Sequence, residues 1–143
     1  MKALIWHCDS YFVGNPLKSK TAQNISDDGH NINVKNSLSI WITIESLDDK
    51  NHFEELLVDL KLLSKRFDTK VITITPFAHL TNKPLNLKQS FLIIEELELF
   101  LKELGFDVQR AHFGSAKDLK MSSPADQYQC VYRSYPKPEF IKL

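Results

Sequence analysis

Short apolar runs separated by polar segments predict the strands of this chain. Leu38–Ile44 (LSIWITI) alternates branched or aromatic residues with polar ones, and Lys70–Thr75 (KVITIT) is rich in β-branched residues. Ser10–Ser37 is polar, contains turn signals such as Asp28-Gly29, and predicts mainly a loop with a short strand near Val13. The predicted strands are Lys2–His7, Leu38–Ile44, Lys70–Thr75, Val108–Phe113 and Gln129–Ser134.

Two longer segments carry apolar residues at the spacing of one helix face. The first covers about 51–67 and follows two candidate caps, Asp48 and Asp49. The second starts at about Leu87 after the candidate cap Asn86, and Gly105 is well placed as its left-handed end. The buried faces are predicted at Phe53, Leu56, Leu57, Leu60, Leu63 and Phe67, and at Ile93, Ile94, Leu97, Phe100, Leu101 and Leu104.

The order of these elements, strands with two helices inserted, predicts an α/β or α+β domain in which two helices cover a mixed sheet. Pro136 and Pro138 indicate a tail or linker over residues 136–143, after a domain over residues 1–135. Acidic residues on the helices are interpreted as solvated faces: Glu54, Glu55, Asp59, Glu95, Glu96 and Glu98. Basic residues are expected on strands and loops, where an anionic substrate would meet them: Lys83, Lys88, Arg110, Lys117, Lys120 and Arg133.

Composition and charge narrow the functional classes. The chain of 143 residues is 43% hydrophobic and 25% charged, which is typical of a globular protein with its own core. Its 18 basic and 18 acidic residues balance, so an RNA substrate would need another source for most of its affinity. The start, MKALIWHCDS, is too short an apolar run for a signal peptide, and no segment has the length to span a bilayer. We therefore expect a cytoplasmic protein without a membrane partner, in which Cys8 and Cys130 are reduced and largely buried.

Two stretches, TPFAHL at Thr75–Leu80 and HFGSAKDLK at His112–Lys120, offer candidate chemistry. His79 directly follows a predicted strand, and its imidazole can act as a base or orient a water near physiological pH. Lys117 follows small residues that let a ligand approach the backbone, and its ammonium can stabilise an oxyanion. A structural histidine and a surface lysine are the ordinary alternatives, and neither residue alone supports a function.

Other common sites are not indicated by the sequence. It contains no phosphate loop, no G-x-G-x-x-G and no G-x-S-x-G motif. Its 5 histidines lack the paired spacing of a zinc site. Taken alone, His112 is interpreted as a packing residue, and Ser122-Ser123 has no base beside it in sequence.

Three stretches of the chain resemble one family in order and spacing: IWHCDSY at Ile5–Tyr11, TPFAHLTNKP at Thr75–Pro84 and AHFGSAKDLKMS at Ala111–Ser122. The family is the N-terminal editing domain of archaeal-type threonyl-tRNA synthetase, which is related to D-aminoacyl-tRNA deacylases. The resemblance covers nearly the whole chain and implies a D-aminoacyl-tRNA deacylase-like fold. It implies that His79 and Lys117 are catalytic. The implied substrate-binding residues are Phe77, Ala78, His112, Phe113, Gly114, Ser115, Ala116 and Cys130.

Two positions differ from the family pattern. Ala116 stands where the family usually has an aromatic residue, and Cys130 stands where it has an acidic one. The segment Pro124–Arg133 (PADQYQCVYR) replaces a family segment resembling K-G-H-P-L-A-E-L-S-R, although Arg133 still aligns.

The resemblance implies that residues 1–135 form an editing domain that hydrolyses L-seryl-tRNA(Thr) by attack of water on the aminoacyl ester. Lys117 would stabilise the carbonyl oxygen or position the water, and His79 would orient the substrate or the terminal adenosine. A ribose hydroxyl of the tRNA would take part, without a metal or cofactor. The implied partners are the serine-carrying 3′ end of tRNA(Thr), a threonyl-tRNA synthetase catalytic domain in cis or in trans, and a second copy in a homodimer. Two alternatives stay open: a catalytically degenerate tRNA-contacting module on the same fold, and a freestanding D-aminoacyl-tRNA deacylase.

Overall fold

The computed structural model of the protein describes residues 1–18 and 31–138. Within these ranges the predicted fold class is confirmed, because two α-helices cover a mixed six-stranded sheet. The strands are β1 (Lys2–Lys18), β2 (Ile32–Thr43), β3 (Val71–Pro76), β4 (Asp107–Arg110), β5 (Ser115–Ser122) and β6 (Cys130–Ser134). The helices are α1 (Phe53–Phe67) and α2 (Leu87–Glu103), and a short 3-10 helix at Leu47–His52 precedes α1. None of the helices described is long and apolar enough to cross a bilayer.

The sheet has the order β4-β3-β2-β1-β5, and β6 also pairs with β1. Strands β2, β3 and β4 are parallel, because α1 and α2 return the chain to the same end of the sheet between them. Strand β1 is antiparallel to β2, β5 and β6. The carboxyl ends of β2 and β3 therefore lie at the same end of the sheet, and ligands commonly bind at this end of open α/β sheets. The stretch TPFAHL continues from β3 at this end.

The main core lies between the two helices and one face of the sheet. The predicted helix stripes are confirmed for most of their members, which are at most 7% exposed, whereas Phe67 and Phe100 are half-buried. Leu104 is exposed, at 45%, because α2 ends one residue before it. The helix residues of this core are Phe53, Leu56, Leu57, Leu60, Leu63, Phe91, Ile93, Ile94, Leu97 and Leu101. A smaller cluster forms around the second half of β1, at Cys8, Tyr11, Val13, Ile32 and Ala111.

The helix ends follow from the side chains beside them. Ser46, rather than Asp48, is the N-cap of the 3-10 helix, and its hydroxyl accepts a hydrogen bond from the Asp48 N–H at 3.1 Å. The Asp49 carboxylate accepts in return from the Ser46 N–H, which completes a capping box. The cap predicted at Asn86 is confirmed, since its side chain accepts from the backbone N–H three residues later. Gly105 has a φ of 91°, as predicted for a left-handed helix end.

Some charged residues differ from their predicted environments. Asp59 is 6% exposed and accepts a hydrogen bond of 2.6 Å from the Tyr135 hydroxyl, so its interpretation as a solvated helix residue is wrong. Arg110 is 5% exposed, and its Nε lies 3.0 Å from Glu98 Oε1. Arg110 is therefore a buried ion-pair residue rather than a contact for an anionic substrate. Lys88 lies on α2 rather than on a loop.

The strand prediction is right at the centre of the sheet and incomplete at one edge. Strands β3 and β6 match the predicted runs within one residue. Much of the predicted loop Ser10–Ser37 is strand, because β1 continues to Lys18 and β2 begins at Ile32; its Asp28-Gly29 turn lies outside the described residues. Strand β5 is not predicted at all. Its side chains are mostly exposed and lack the alternation of a half-buried strand.

The beginning of the chain and Tyr135 are bound to each other. The Met1 ammonium donates to the Tyr135 carbonyl at 2.9 Å and to the Asp49 carboxylate at 3.0 Å, and it pairs with Glu45 at 3.0 Å. The Tyr135 N–H donates to the Met1 carbonyl at 2.8 Å. Tyr135 therefore packs as part of the folded unit. The tail predicted over 136–143 lies outside the described residues from position 139 onward, and the domain boundary stays a prediction.

Candidate active site

A cavity of about 690 Å³ opens at the carboxyl ends of β2 and β3. The end of β2, the stretch that follows β3, the first turns of α2, and residues 113–117 with Leu119 form its walls. Most of the lining is apolar, with Trp41, Ile44, Phe77 and Leu85 among its residues. Its volume is within the range of small-molecule sites, roughly 300–1,000 Å³. The two stretches singled out from the sequence therefore face one cavity.

His79 lies at the rim of this cavity and is exposed. Its ring packs edge-on against Phe77, with centroids 5.1 Å apart and an angle of 79° between the ring planes. Phe77 is in turn tilted against Trp41, at a centroid distance of 5.6 Å. Within the described part of the chain the imidazole forms no hydrogen bond. Its position therefore depends on the backbone that carries it.

Lys117 contributes an ammonium to the wall formed by β5. Its Nζ donates a hydrogen bond of 2.7 Å to the carbonyl oxygen of Ser115, two residues earlier on the same strand. The side chain is thereby held along its own strand. An ammonium has three N–H donors, and this contact occupies one of them.

The turn before Lys117 is built from small and aromatic residues. Gly114 has a φ of 69°, a conformation that strongly favours glycine and lets the chain turn into β5. Phe113 is 5% exposed and packs against Phe91 of α2 at a centroid distance of 5.4 Å. The Ser115 hydroxyl and the His112 Nδ1 lie 3.0 Å apart. His112 thus contacts the cavity wall through Ser115.

Three further residues of the lining form a hydrogen-bonded chain across the sheet. The Trp41 Nε1–H donates to the Tyr11 hydroxyl at 3.0 Å, and that hydroxyl lies 2.8 Å from the Thr75 Oγ1. Burial raises the pKa of Tyr11, although the hydrogen bonds with Thr75 and Trp41 oppose this effect. Sequence reasoning missed this chain, because its members come from three strands and Trp41 belongs to no recognised motif, although Tyr11 ends IWHCDSY and Thr75 begins TPFAHL.

Thr43, the last residue of β2, connects this strand to the TPFAHL stretch. Its side chain is 2% exposed and belongs to the cavity lining. The Thr43 hydroxyl donates to the Phe77 carbonyl and accepts from the Leu80 N–H, the latter at 3.4 Å. Backbone hydrogen bonds flank this contact, from Phe77 N–H to the Ile42 carbonyl and from Leu85 N–H to the Ile44 carbonyl, each 2.9 Å long.

The structure brings most of the predicted site residues together. Eight of them line the cavity: Phe77, Ala78, His79, Phe113, Gly114, Ser115, Ala116 and Lys117. The lining, as far as the structure describes it, includes neither His112 nor Cys130. Cys130 begins β6 and pairs in register with Trp6, and burial raises the pKa of its thiol. Cys8 and Cys130 are both free cysteines, and Cys8 is fully buried.

The described lining contains Lys117 and His79 but no Asp or Glu. The charged groups that these two side chains can supply are therefore basic, and they can attract an oxyanion, a carboxylate or a phosphate. None of the described lining residues carries a carboxylate that could act as a general base. Among the described groups and the substrate, the candidate bases for hydrolysis are the histidine and the substrate itself.

Comparison with known proteins identifies close similarity over most of the chain. The family described as the archaea-specific editing domain of threonyl-tRNA synthetase matches residues 1–134. The threonine–tRNA ligase of Thermococcus gammatolerans is 27% identical over 128 residues, which is 85% of this chain and 20% of the ligase. That of Hyperthermus butylicus is 27% identical over 142 residues, which is 94% of this chain and 23% of the ligase. The chain thus spans about a fifth of the curated relatives that it matches.

A solved structure shares the fold at low sequence identity. The protein titled c-Myc DNA unwinding element binding protein aligns with a TM-score of 0.68 at 13% identity, over 95% of this chain and 99% of that one. This likeness supports the architecture alone. The family match over residues 1–134 carries the assignment: the chain belongs to the archaea-specific editing domains of threonyl-tRNA synthetase.

Proposed function

We propose that this domain is an editing hydrolase that removes L-serine from tRNA(Thr) mischarged by threonyl-tRNA synthetase. The observation that carries the proposal is the single cavity lined by both His79 and Lys117, in a chain of the editing-domain family. The cavity also has room for more than an amino acid, which suits an aminoacyl group together with the terminal nucleoside.

A synthetase needs such a second site because serine differs from threonine by one methyl group. One methyl group in a pocket changes binding by only about 1–3 kcal/mol, which is too little for accurate translation. An editing site that excludes threonine and hydrolyses the serine ester supplies the rest. The small residues Ala78, Gly114 and Ala116 in the lining would leave room for the ester near the backbone.

In the proposed reaction, water attacks the ester carbonyl carbon and the carbonyl oxygen becomes an oxyanion. The Lys117 ammonium stabilises this oxyanion, and collapse of the intermediate breaks the bond between the carbonyl carbon and the ribose oxygen. One proton of the water ends on the ribose oxygen, which leaves free serine and a ribose hydroxyl. Since no carboxylate lines the described cavity, a neighbouring ribose hydroxyl of the tRNA relays this proton, and His79 orients the terminal adenosine.

Deacylation of seryl-tRNA(Thr) tests the proposal. Lys117→Ala should lower the rate by about 10²–10³, the usual effect of removing a donor to an oxyanion. Lys120→Ala is the matched control, because Lys120 lies on the same strand, outside the cavity lining, with its Nζ 5.9 Å from the centre of the Phe12 ring. Equal rates for wild type and Lys117→Ala would remove this lysine from the mechanism.

The second candidate is a non-catalytic tRNA-contacting module on the same fold. Two sequence differences favour it: Ala116 replaces the aromatic residue expected before Lys117, and Cys130 stands at the acidic position of the family pattern. A wild-type domain that binds a seryl-adenosine analogue without hydrolysing seryl-tRNA would support the module. The freestanding D-aminoacyl-tRNA deacylase is tested in the same assay with D-aminoacyl esters in place of L-seryl esters.

The proposed partners follow from the family. A synthetase that holds the tRNA would raise its local concentration at this domain, which explains why a chain with a net charge of zero can act on RNA. This partnership, a homodimer and a cytoplasmic location are part of the proposal. A second copy could not pair with β2 along Leu38–Ile44, because β2 is paired on both sides and most of its apolar residues are buried.

A further inference from the structure

The segment that carries His79 is attached to the sheet by few contacts. Phe77 begins it, with its N–H bound to the Ile42 carbonyl, and Leu85 ends it, with its N–H bound to the Ile44 carbonyl. Between these two points, Thr81 forms a side-chain hydrogen bond with Glu45, just beyond the end of β2, and among the described residues of β2 it is Thr43 whose side chain bonds to the segment. Its hydroxyl donates to the Phe77 carbonyl and accepts from the Leu80 N–H.

These two hydrogen bonds flank the histidine in sequence. The donor contact fixes the peptide group two residues before His79, and the acceptor contact fixes the amide one residue after it. The imidazole forms no hydrogen bond within the described residues, and its aromatic ring contact there is with Phe77. The position of the imidazole therefore depends on the backbone between Phe77 and Leu80, to which Thr43 is hydrogen-bonded at both ends.

We propose that Thr43 is a positioning residue, which sets the location of the His79 imidazole at the cavity through its hydroxyl. The hydroxyl has a single hydrogen, and the Phe77 carbonyl accepts it. Thr43 therefore acts on the substrate through His79 rather than as a donor of its own. The inference rests on the editing reaction proposed above.

Substitutions of different shape separate the hydroxyl from the rest of the side chain. Thr43→Val keeps the volume and the branching and removes both hydrogen bonds, whereas Thr43→Ser keeps the hydroxyl and loses a methyl group. Thr73→Val is the matched control, because Thr73 is a buried threonine of the next strand whose hydroxyl donates to Ser39 Oγ at 2.8 Å, away from the cavity lining.

The first measurement is deacylation of seryl-tRNA(Thr) at saturating and at limiting substrate. Thr43→Val should lower kcat/KM about tenfold, whereas Thr43→Ser and Thr73→Val stay within about twofold of wild type. In a His79→Ala background, Thr43→Val should cause no further loss, because the residue through which it acts is gone. A full loss in that background, or a Ser variant as weak as the Val variant, would overturn the proposal.

The second measurement does not depend on activity. The histidine ring signals in a ¹H–¹³C spectrum include one set that disappears in His79→Ala and is thereby assigned to His79. Thr43→Val should shift or broaden this set, and Thr43→Ser and Thr73→Val should leave it in place. If the wild type fails to hydrolyse seryl-tRNA, the proposed reaction fails while this spectrum still decides the role of Thr43. Unchanged His79 signals in Thr43→Val would refute it.

Discussion

The carboxylate of Glu45 provides a quantitative test of the structure, because it joins the first residues of the chain to the end of β2. Its Oε1 lies 3.0 Å from the Met1 ammonium, and its Oε2 lies 2.7 Å from the Lys2 Nζ. Partial burial alone would raise the pKa of Glu45, but hydrogen bonds from Lys2, the Met1 ammonium and Thr81 lower it to about 2 from an ordinary 4.5.

The size of the effect follows from this difference. A pKa lowered from 4.5 to about 2 corresponds to roughly 3.4 kcal/mol, at 1.36 kcal/mol for each pH unit. Solvent reaches 23% of the side chain and screens its pairs, so we expect about 1–2 kcal/mol. Because the folded pKa is the lower one, this stability is fully present above pH 4.5 and is lost as the pH falls towards 2.

The perturbation is Glu45→Gln, and the assay is urea unfolding at several pH values between 7 and 2.5. At pH 7 the variant should be less stable than wild type by about 1–2 kcal/mol, and the difference should shrink as the pH falls below 4.5. Glu54→Gln is the control, because Glu54 is an exposed glutamate of α1 that forms no ion pair among the described residues. A Glu45→Gln variant whose stability stays parallel to wild type at every pH would refute the assignment of these contacts.

Two further predictions concern side-chain hydrogen bonds that stabilise the fold. Tyr135→Phe removes the 2.6 Å hydrogen bond to the buried Asp59 carboxylate and should lower the free energy of unfolding by about 1.5–3 kcal/mol in urea, and a loss below 0.5 kcal/mol would contradict the role of this bond. Asn86→Ala removes the N-cap of α2, whose first turns line the cavity, and should lower stability by about 1 kcal/mol in thermal unfolding; Asn82→Ala, a substitution in the preceding loop, should not.

The sequence correctly predicted the helices and strands whose side chains pack in the hydrophobic core. The apolar stripe of α1 and the β-branched run of β3 repeat at the periods of a helix and of a buried strand, so their local pattern reports their environment. Strand β5 fails this test, because it pairs only with β1 among the described strands and turns most of its side chains to solvent. Backbone hydrogen bonds to β1 determine its strand conformation. Such bonds do not depend on the side chains, so the amino-acid pattern of β5 does not reveal the strand.

The candidate site was predicted in part for a similar reason. Phe77, His79 and Lys117 belong to contiguous motifs, which a sequence comparison can detect without knowing how the chain folds. Thr43 and Trp41 reach the cavity from β2, which carries no motif, and Tyr11 ends the stretch IWHCDSY of β1, for which the sequence assigned no site role. Only the register of β1, β2 and β3 places their polar atoms together.

The two reactive groups of the cavity are held in different ways, and this difference determines which substitutions should affect each of them. His79 follows β3, a central strand, and Thr43 of the neighbouring strand fixes its backbone on both sides. Lys117 lies on β5, an edge strand among those described, and its ammonium binds a carbonyl of its own strand.

Edge elements with exposed side chains open at a lower free energy than central ones. The lysine wall should therefore adjust to a substrate through β5, whereas the position of the histidine should depend on the Thr43 hydrogen bonds that hold its segment. Changes in β2 should alter the contribution of His79 and leave that of Lys117 intact. The effects of Thr43→Val and Lys117→Ala on the deacylation rate should then multiply, as expected for residues that act on separate walls and share no partner.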